Sequence, residues 1–151
     1  MKRIIVLLLF SSTTIFFGCS KKYLPHNYPK ESITFGSGGG FTGAYTNYIL
    51  LSNGQLFKQT TLDNQLMEAK KRISNNETRQ FFKNYKTLNI GEMNYQNPGN
   101  MTSFIEYQQA QTKRRVAWST ANSDIPKNAK LFYSLLNTLV KKSNFEKIST
   151  D

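Results

Sequence analysis

The sequence predicts an α+β fold: an antiparallel sheet with helices packed on one face, in hairpin–helix–hairpin–helix order. Three observations carry this. Ser52-Asn53-Gly54 separates two strand-like runs. Ser74-Asn75-Asn76-Glu77 opens a run with Phe81, Phe82, Tyr85 and Leu88 at helical spacing. Asp124-Ile125-Pro126 precedes a second helical stripe. Strand periodicity followed by helix periodicity, twice over, places the helices on one side of a single sheet.

Each element has its own warrant. Ile33 and Phe35 alternate with Ser32 and Thr34 as a short strand, which Gly36-Ser37-Gly38-Gly39-Gly40 interrupts. Ala44–Leu51, rich in Tyr, Thr and Ile, has strand composition. Asn53-Gly54 supplies the positive φ angles of a tight hairpin, so Gln55–Thr61 is the returning strand. Leu62–Ile73 fits two periods. Leu62, Leu66, Ala69 and Ile73 would line a helix, whereas Leu66, Glu68 and Lys70 alternate, and a further strand ending at Ile73 is preferred. Ser74 and Glu77 match a capping box and predict a helix over 75–88. Gly91–Asn100 reads as a loop. Met101, Ser103, Ile105 and Tyr107 oppose Phe104, Glu106 and Gln108 on a strand, and Arg115–Thr120 returns with Val116 and Trp118 on one face. Pro126 suits the first turn of the last helix. Its stripe is Leu131, Phe132, Leu135, Leu136, Leu139 and Val140, and Lys141-Lys142 complement the negative end of its dipole.

The N-terminus has export character. Lys2-Arg3 form a positive start, and Ile4–Phe10 begin an apolar stretch that runs, relaxed by Ser11–Thr14, to Ile15-Phe16-Phe17. It is too short and interrupted for a membrane span. Gly18-Cys19 resembles the lipobox of bacterial lipoproteins, with Phe16 where that family usually has Leu. The resemblance implies cleavage before Cys19 and acylation of its thiol. Ser20, in place of Asp, implies transport to an outer membrane by the family's sorting rule. The expected organisation is a signal over 1–18, a lipidated tether over 19–31, a single domain over 32–142 and a flexible tail over 143–151. Pro25 and Pro29 would make the tether extended.

Charge and composition narrow the function. The chain has 20 Lys+Arg against 9 Asp+Glu, and losing Lys2 and Arg3 leaves 18 against 9, or +9. A basic exported protein favours anionic partners such as lipid headgroups or an acidic protein face, and an exported chain rarely meets nucleic acid. Lys70-Lys71-Arg72 and Lys113-Arg114-Arg115 are the two basic clusters. Cys19 is consumed by lipid and His26 lies in the tether, so no metal or cofactor site is expected. No histidine is available to activate Ser37, and no paired carboxylates stand out. The expectation is therefore a non-enzymatic protein.

Gly38-Gly39-Gly40-Phe41-Thr42-Gly43 formally satisfies G-x-G-x-x-G, but a strand follows where dinucleotide binding needs a helix N-terminus. Two readings stay open: a glycine-permitted bulge or loop, and an exposed recognition loop presenting Phe41 from Gly38, Gly39, Gly40 and Gly43. The same segment resembles emfourin-like proteins, small bacterial inhibitors of thermolysin-type metalloproteases. They share a strand entering Gly-Gly-Phe-x-Gly, a hairpin, a helix with a Phe-Phe-like pair (here Phe81-Phe82), further strands and a Pro-led closing helix. The resemblance spans 32–140; Leu62–Ile73 has no counterpart in that plan. It implies the fold and a protease as protein partner. The expected function is a lipid-anchored binding module, with a structural or assembly component of the envelope as the alternative.

Overall fold

The structure, a computed structural model, describes residues 22–24, 27–122 and 124–148. The expected signal over 1–18, Cys19 and His26 lie outside the described residues. The elements in order are β1 (Glu31–Gly39), β2 (Ala44–Leu51), β3 (Leu56–Thr60), β4 (Leu66–Ala69), α1 (Asn75–Thr87), a 3-10 turn (Ile90–Glu92), β5 (Gln96–Asn97), β6 (Met101–Gln109), β7 (Thr112–Ser119), α2 (Lys127–Lys141) and β8 (Phe145–Lys147). All strands join one eight-stranded sheet in the order β5-β7-β6-β1-β2-β3-β4-β8.

This is an α+β fold, with two corrections to the expected plan. The sheet is mixed, because β5 pairs parallel to β7 while every other pairing is antiparallel. The order is also longer than hairpin–helix–hairpin–helix: β1–β4 form a four-stranded meander, and β5 and β8 are additional edge strands of two and three residues. Strands this short carry almost no periodic signal, and short edges suit a sheet because they leave little unpaired backbone.

Register explains the core. β1 lies between β2 and β6, pairing Ile33 with Leu50 and Tyr107, and Phe35 with Tyr48 and Ile105. These side chains, with Val116 and Trp118 of β7, form one buried cluster with Phe81, Phe82 and Tyr85 of α1 and Ala129, Phe132, Leu136 and Leu139 of α2. Phe81 meets Phe132 edge-on at 6.4 Å, and Tyr85 stacks on Tyr107 at 4.5 Å. Trp118, buried, stands edge-on to Tyr133 of α2 at 5.1 Å. The phase read for β6 and β7 therefore holds.

Several boundaries moved. β1 runs through Gly36–Gly39 where an interruption was expected. The β2–β3 loop places Gly54 alone at positive φ (+85°), with its N–H donating to the Leu51 carbonyl at 2.9 Å; Asn53 has no positive φ. That is the three-residue hairpin with an αL glycine, not the two-residue turn. β4 ends at Ala69, four residues before the expected end. Ser74 caps α1, accepting from the Glu77 N–H at 3.3 Å. Leu131 and Leu135, assigned to the buried stripe of α2, are exposed. The helix needs only a narrow apolar seam against the sheet. Within the expected tail, β8 pairs with β4, and the Lys70 N–H donates to the Asn144 carbonyl at 2.8 Å.

Candidate functional site

The glycine segment divides into two parts with different physics. Gly36 and Gly38 are strand residues. A Cβ on Gly36 would lie 2.1 Å from the Thr46 carbonyl oxygen, and one on Gly38 would lie 2.2 Å from that of Ala44 and 2.6 Å from the Tyr45 ring. Gly36 is paired with Phe104 and Gly38 with Tyr45, so both aromatics share the sheet face away from the helices. Their rings approach to 6.2 Å, and the bare glycine backbone between them gives the space. Arg115 closes the arrangement from β7, its guanidinium 3.9 Å from the Phe104 ring centre. Gly38, a candidate binding residue by sequence, is buried strand backbone.

Gly39, Gly40 and Gly43 form the turn, at φ of +114°, +69° and +62°. These are left-handed angles that side chains rarely adopt. Between them Phe41 is fully exposed at the tip. The loop is held from both sides. The Gly40 N–H donates to the Asn100 carbonyl at 2.7 Å, the Gly43 N–H to the Gly40 carbonyl at 3.2 Å, and the Ala44 N–H to Thr42 Oγ1 at 3.3 Å.

Neighbouring loops extend this rim. Strand direction brings the β1–β2 loop, the β3–β4 loop and the β5–β6 loop to one edge of the sheet. Leu62 is 74% exposed in the second, and Met101, at the end of the third, 42%. The second loop is tied to β2 by reciprocal bonds: the Tyr45 N–H donates to Thr61 Oγ1 at 2.8 Å, and the Thr61 N–H to the Tyr45 carbonyl at 2.9 Å. Asp63 accepts from the Thr60 hydroxyl and the Gln65 N–H, which hold its carboxyl below the usual carboxylate range. Residues 40–43, 61–65 and 98–100 include no Lys or Arg. The rim is ordered and apolar at its tips, and its carboxylate, Asp63, is engaged by Thr60 and the Gln65 N–H within its own loop. Sequence reasoning found Phe41 but missed Leu62 and Met101, for which the only local signal is an apolar side chain amid polar loop residues.

The opposite edge receives the N-terminal chain. Residues 22–24 and 27–30, assigned to the tether, lie against the sheet there. Gln55, fully buried, accepts the Tyr23 N–H at 2.7 Å and the Asn53 side-chain amide at 2.7 Å. Its Nε2 donates to the Tyr23 carbonyl at 3.0 Å and to Glu68 at 2.9 Å. A buried amide with both oxygen and nitrogen fully used is a stable latch. Lys22 reaches Glu68 at 3.4 Å, Tyr28 lies 5.3 Å from the Phe57 ring, and the Ala110 N–H donates to the Lys30 carbonyl at 2.6 Å. Burial, reinforced by Glu68, pushes the Tyr28 phenol up to about 12.

The basic clusters fare differently. Lys113 and Arg115 both pair with Glu106 at 3.6 Å, and Arg114 pairs with Glu92 at 3.3 Å. Lys70 pairs with Glu146 at 3.6 Å, while Lys71 is exposed. Among the described residues, no group of three or more His, Cys, Asp or Glu converges to hold a metal ion, and no helix is long and apolar enough to cross a membrane. No family model matches the chain, and no curated protein matches it.

Proposed function

We propose that this protein is a lipid-anchored component of the bacterial envelope, held in the outer membrane through Cys19, and that it is a non-enzymatic binding module. The observation that carries the reading is Phe41, fully exposed on a loop whose backbone is bonded on both sides. Exposed aromatic anchors bind well when the loop's ordering cost is already met in the free protein. The resemblance of Gly38–Gly43 and of the Phe81-Phe82 helix to emfourin-like inhibitors makes the cleft of a thermolysin-type protease the sharpest choice of partner. A structural or assembly role is the second reading. Leu131 and Leu135, one turn apart and exposed on α2, favour it by offering a face for another envelope protein.

Two experiments test these parts separately. Cys19→Ala should abolish fatty-acid incorporation and lipoprotein-type processing; unchanged labelling would remove the anchor. Titration of thermolysin-type proteases with the protein, read on a peptide substrate, should show inhibition that Phe41→Ala loses while its melting temperature is kept. No inhibition at micromolar protein would reject the protease partner. Recovery of an envelope assembly through a Leu131→Ser-sensitive contact would then favour the structural role.

A further inference from the structure

The edge that receives the N-terminal chain also concentrates cations. An open cleft of about 360 Å³ lies between the end of β4, the start of α1 and the end of α2, and Lys70, Lys71, Arg72 and Lys142 line it with Glu77 as the carboxylate. The N-terminal end of α1 and the C-terminal end of α2 meet here with opposed dipoles, so side-chain charge sets the sign of the cleft. Lys22 is paired with Glu68 of β4, two residues before Lys70, which follows the strand directly, a separation of about 7 Å along extended chain. Lys22 is three residue steps from Cys19, a span of at most about 11 Å.

We infer that this cleft is a docking surface for the anionic headgroups of the membrane that holds the lipid anchor. The inference rests on the proposed acylation of Cys19. An extended tether of 19–31 would let the domain stand off from the bilayer. The Gln55 bonds to Tyr23 instead fix the chain at residue 23, and leave a leash too short to lift the cleft out of reach of the headgroups. Charge complementarity then sets the orientation: Lys71 and Lys142 face the phosphates, and the Phe41 edge, at the other ends of the same strands, faces away. The anchor and the cleft act as two weak signals on one surface, the combination that makes peripheral attachment stable. Glu146, paired with Lys70 at 3.6 Å, and Glu77 offset two of the four cations, and the cleft keeps a net positive charge through the other two.

The test uses the chain from residue 19 with Cys19→Ser, so that acylation cannot contribute, mixed with sedimentable vesicles of phosphatidylcholine alone or with 30% phosphatidylglycerol. Binding should require the anionic lipid and fall steeply from 50 to 500 mM salt. Lys71→Gln with Lys142→Gln should weaken it by about fivefold per lysine, hence more than tenfold together. Lys127→Gln with Lys130→Gln, an equal charge loss at the start of α2, should change it less than twofold. Melting temperatures of both variants confirm folding. Equal binding to neutral and anionic vesicles, no binding to either, or equal loss in the two pairs overturns the inference. Acyl labelling of the unmodified chain is read separately, so failure of the anchor and failure of the cleft are distinguishable. In the acylated protein on anionic vesicles, amides 70–73 and 142–144 should gain exchange protection and 40–43 should not; the reverse pattern would also overturn it.

Discussion

The two strand-end edges of this sheet are built from the same strands and have opposite chemistry. One carries Phe41, Leu62 and Met101 on loops without a single basic residue. The other receives the N-terminal chain through a buried glutamine and gathers Lys22, Lys70, Lys71 and Lys142. A net charge is an average, and here it conceals a polarity. An apolar rim surrounded by lysines would be poorly suited to a dry protein interface, because each buried cation must be desolvated. Lys147, paired with Met67 at the start of β4, is the cation nearest the rim, and it faces Asp63; the uneven charge is what the proposed protein-binding edge and the proposed membrane-facing edge would each require.

The comparison can be broken most severely at the glycines beneath the rim. Gly38→Val places its side chain against the Ala44 carbonyl and the Tyr45 ring, and should cost about 4 kcal/mol or prevent folding, as read by urea denaturation. A mild effect would mean that the Tyr45–Phe104 face can open, and that the rim is not rigidly founded.

At the opposite edge, Gln55→Leu removes the amide that bonds the Tyr23 backbone, the Asn53 amide and Glu68, and should cost about 2–3 kcal/mol. It should also expose residues 22–30 to proteolysis before the domain itself is cut. Protection of that segment in the variant would show that Tyr28 and Phe57 suffice to hold it.

Alkaline pH sharpens the same point more gently. The Tyr28 phenol ionises near 10 when unfolded and at about 12 when buried beside Glu68, so the folded state retains the proton more tightly. Its contribution is complete below pH 10 and is lost as pH rises from 10 to 12. Absorbance titration at 295 nm should show its late ionisation, and Tyr28→Phe should remove that part of the alkaline loss of stability. A Tyr28 that titrates with the exposed tyrosines would place it off the sheet.

The smallest effect is expected at the tip. Phe41→Ala, removing a side chain that touches solvent on every side, should change stability by less than about 0.5 kcal/mol in thermal melts. A larger loss would mean that Phe41 is held against the body in solution, and the rim would lose its anchor.

Much of this fold was legible from local pattern. The Ser74 cap, the Phe81-Phe82-Tyr85 face and the phase of Trp118 follow from chemistry within a few residues, where capping and periodicity act. Other features required distant partners. The glycine run reads as a loop because glycine is rare in strands; it is half strand because Tyr45 and Phe104 arrive from both sides and need the room. The segment after Cys19 reads as a tether because its prolines break periodicity; Tyr23 and Tyr28 within it are held on the sheet because Gln55 and Phe57, about thirty residues later, present a buried amide and a ring to them. Leu131 and Leu135 read as core because helical spacing counts apolar residues without knowing how wide a sheet will cover them. Sequence by itself determined the two helices, the central strands and the exposed candidate Phe41, because capping and periodicity are local; it did not determine the short edge strands β5 and β8, the strand state of Gly36–Gly39, or the rim residues Leu62 and Met101. Only the tertiary structure decided that the apolar tips and the basic cleft lie at opposite edges, because strand pairing, a long-range choice, sets which loops become neighbours.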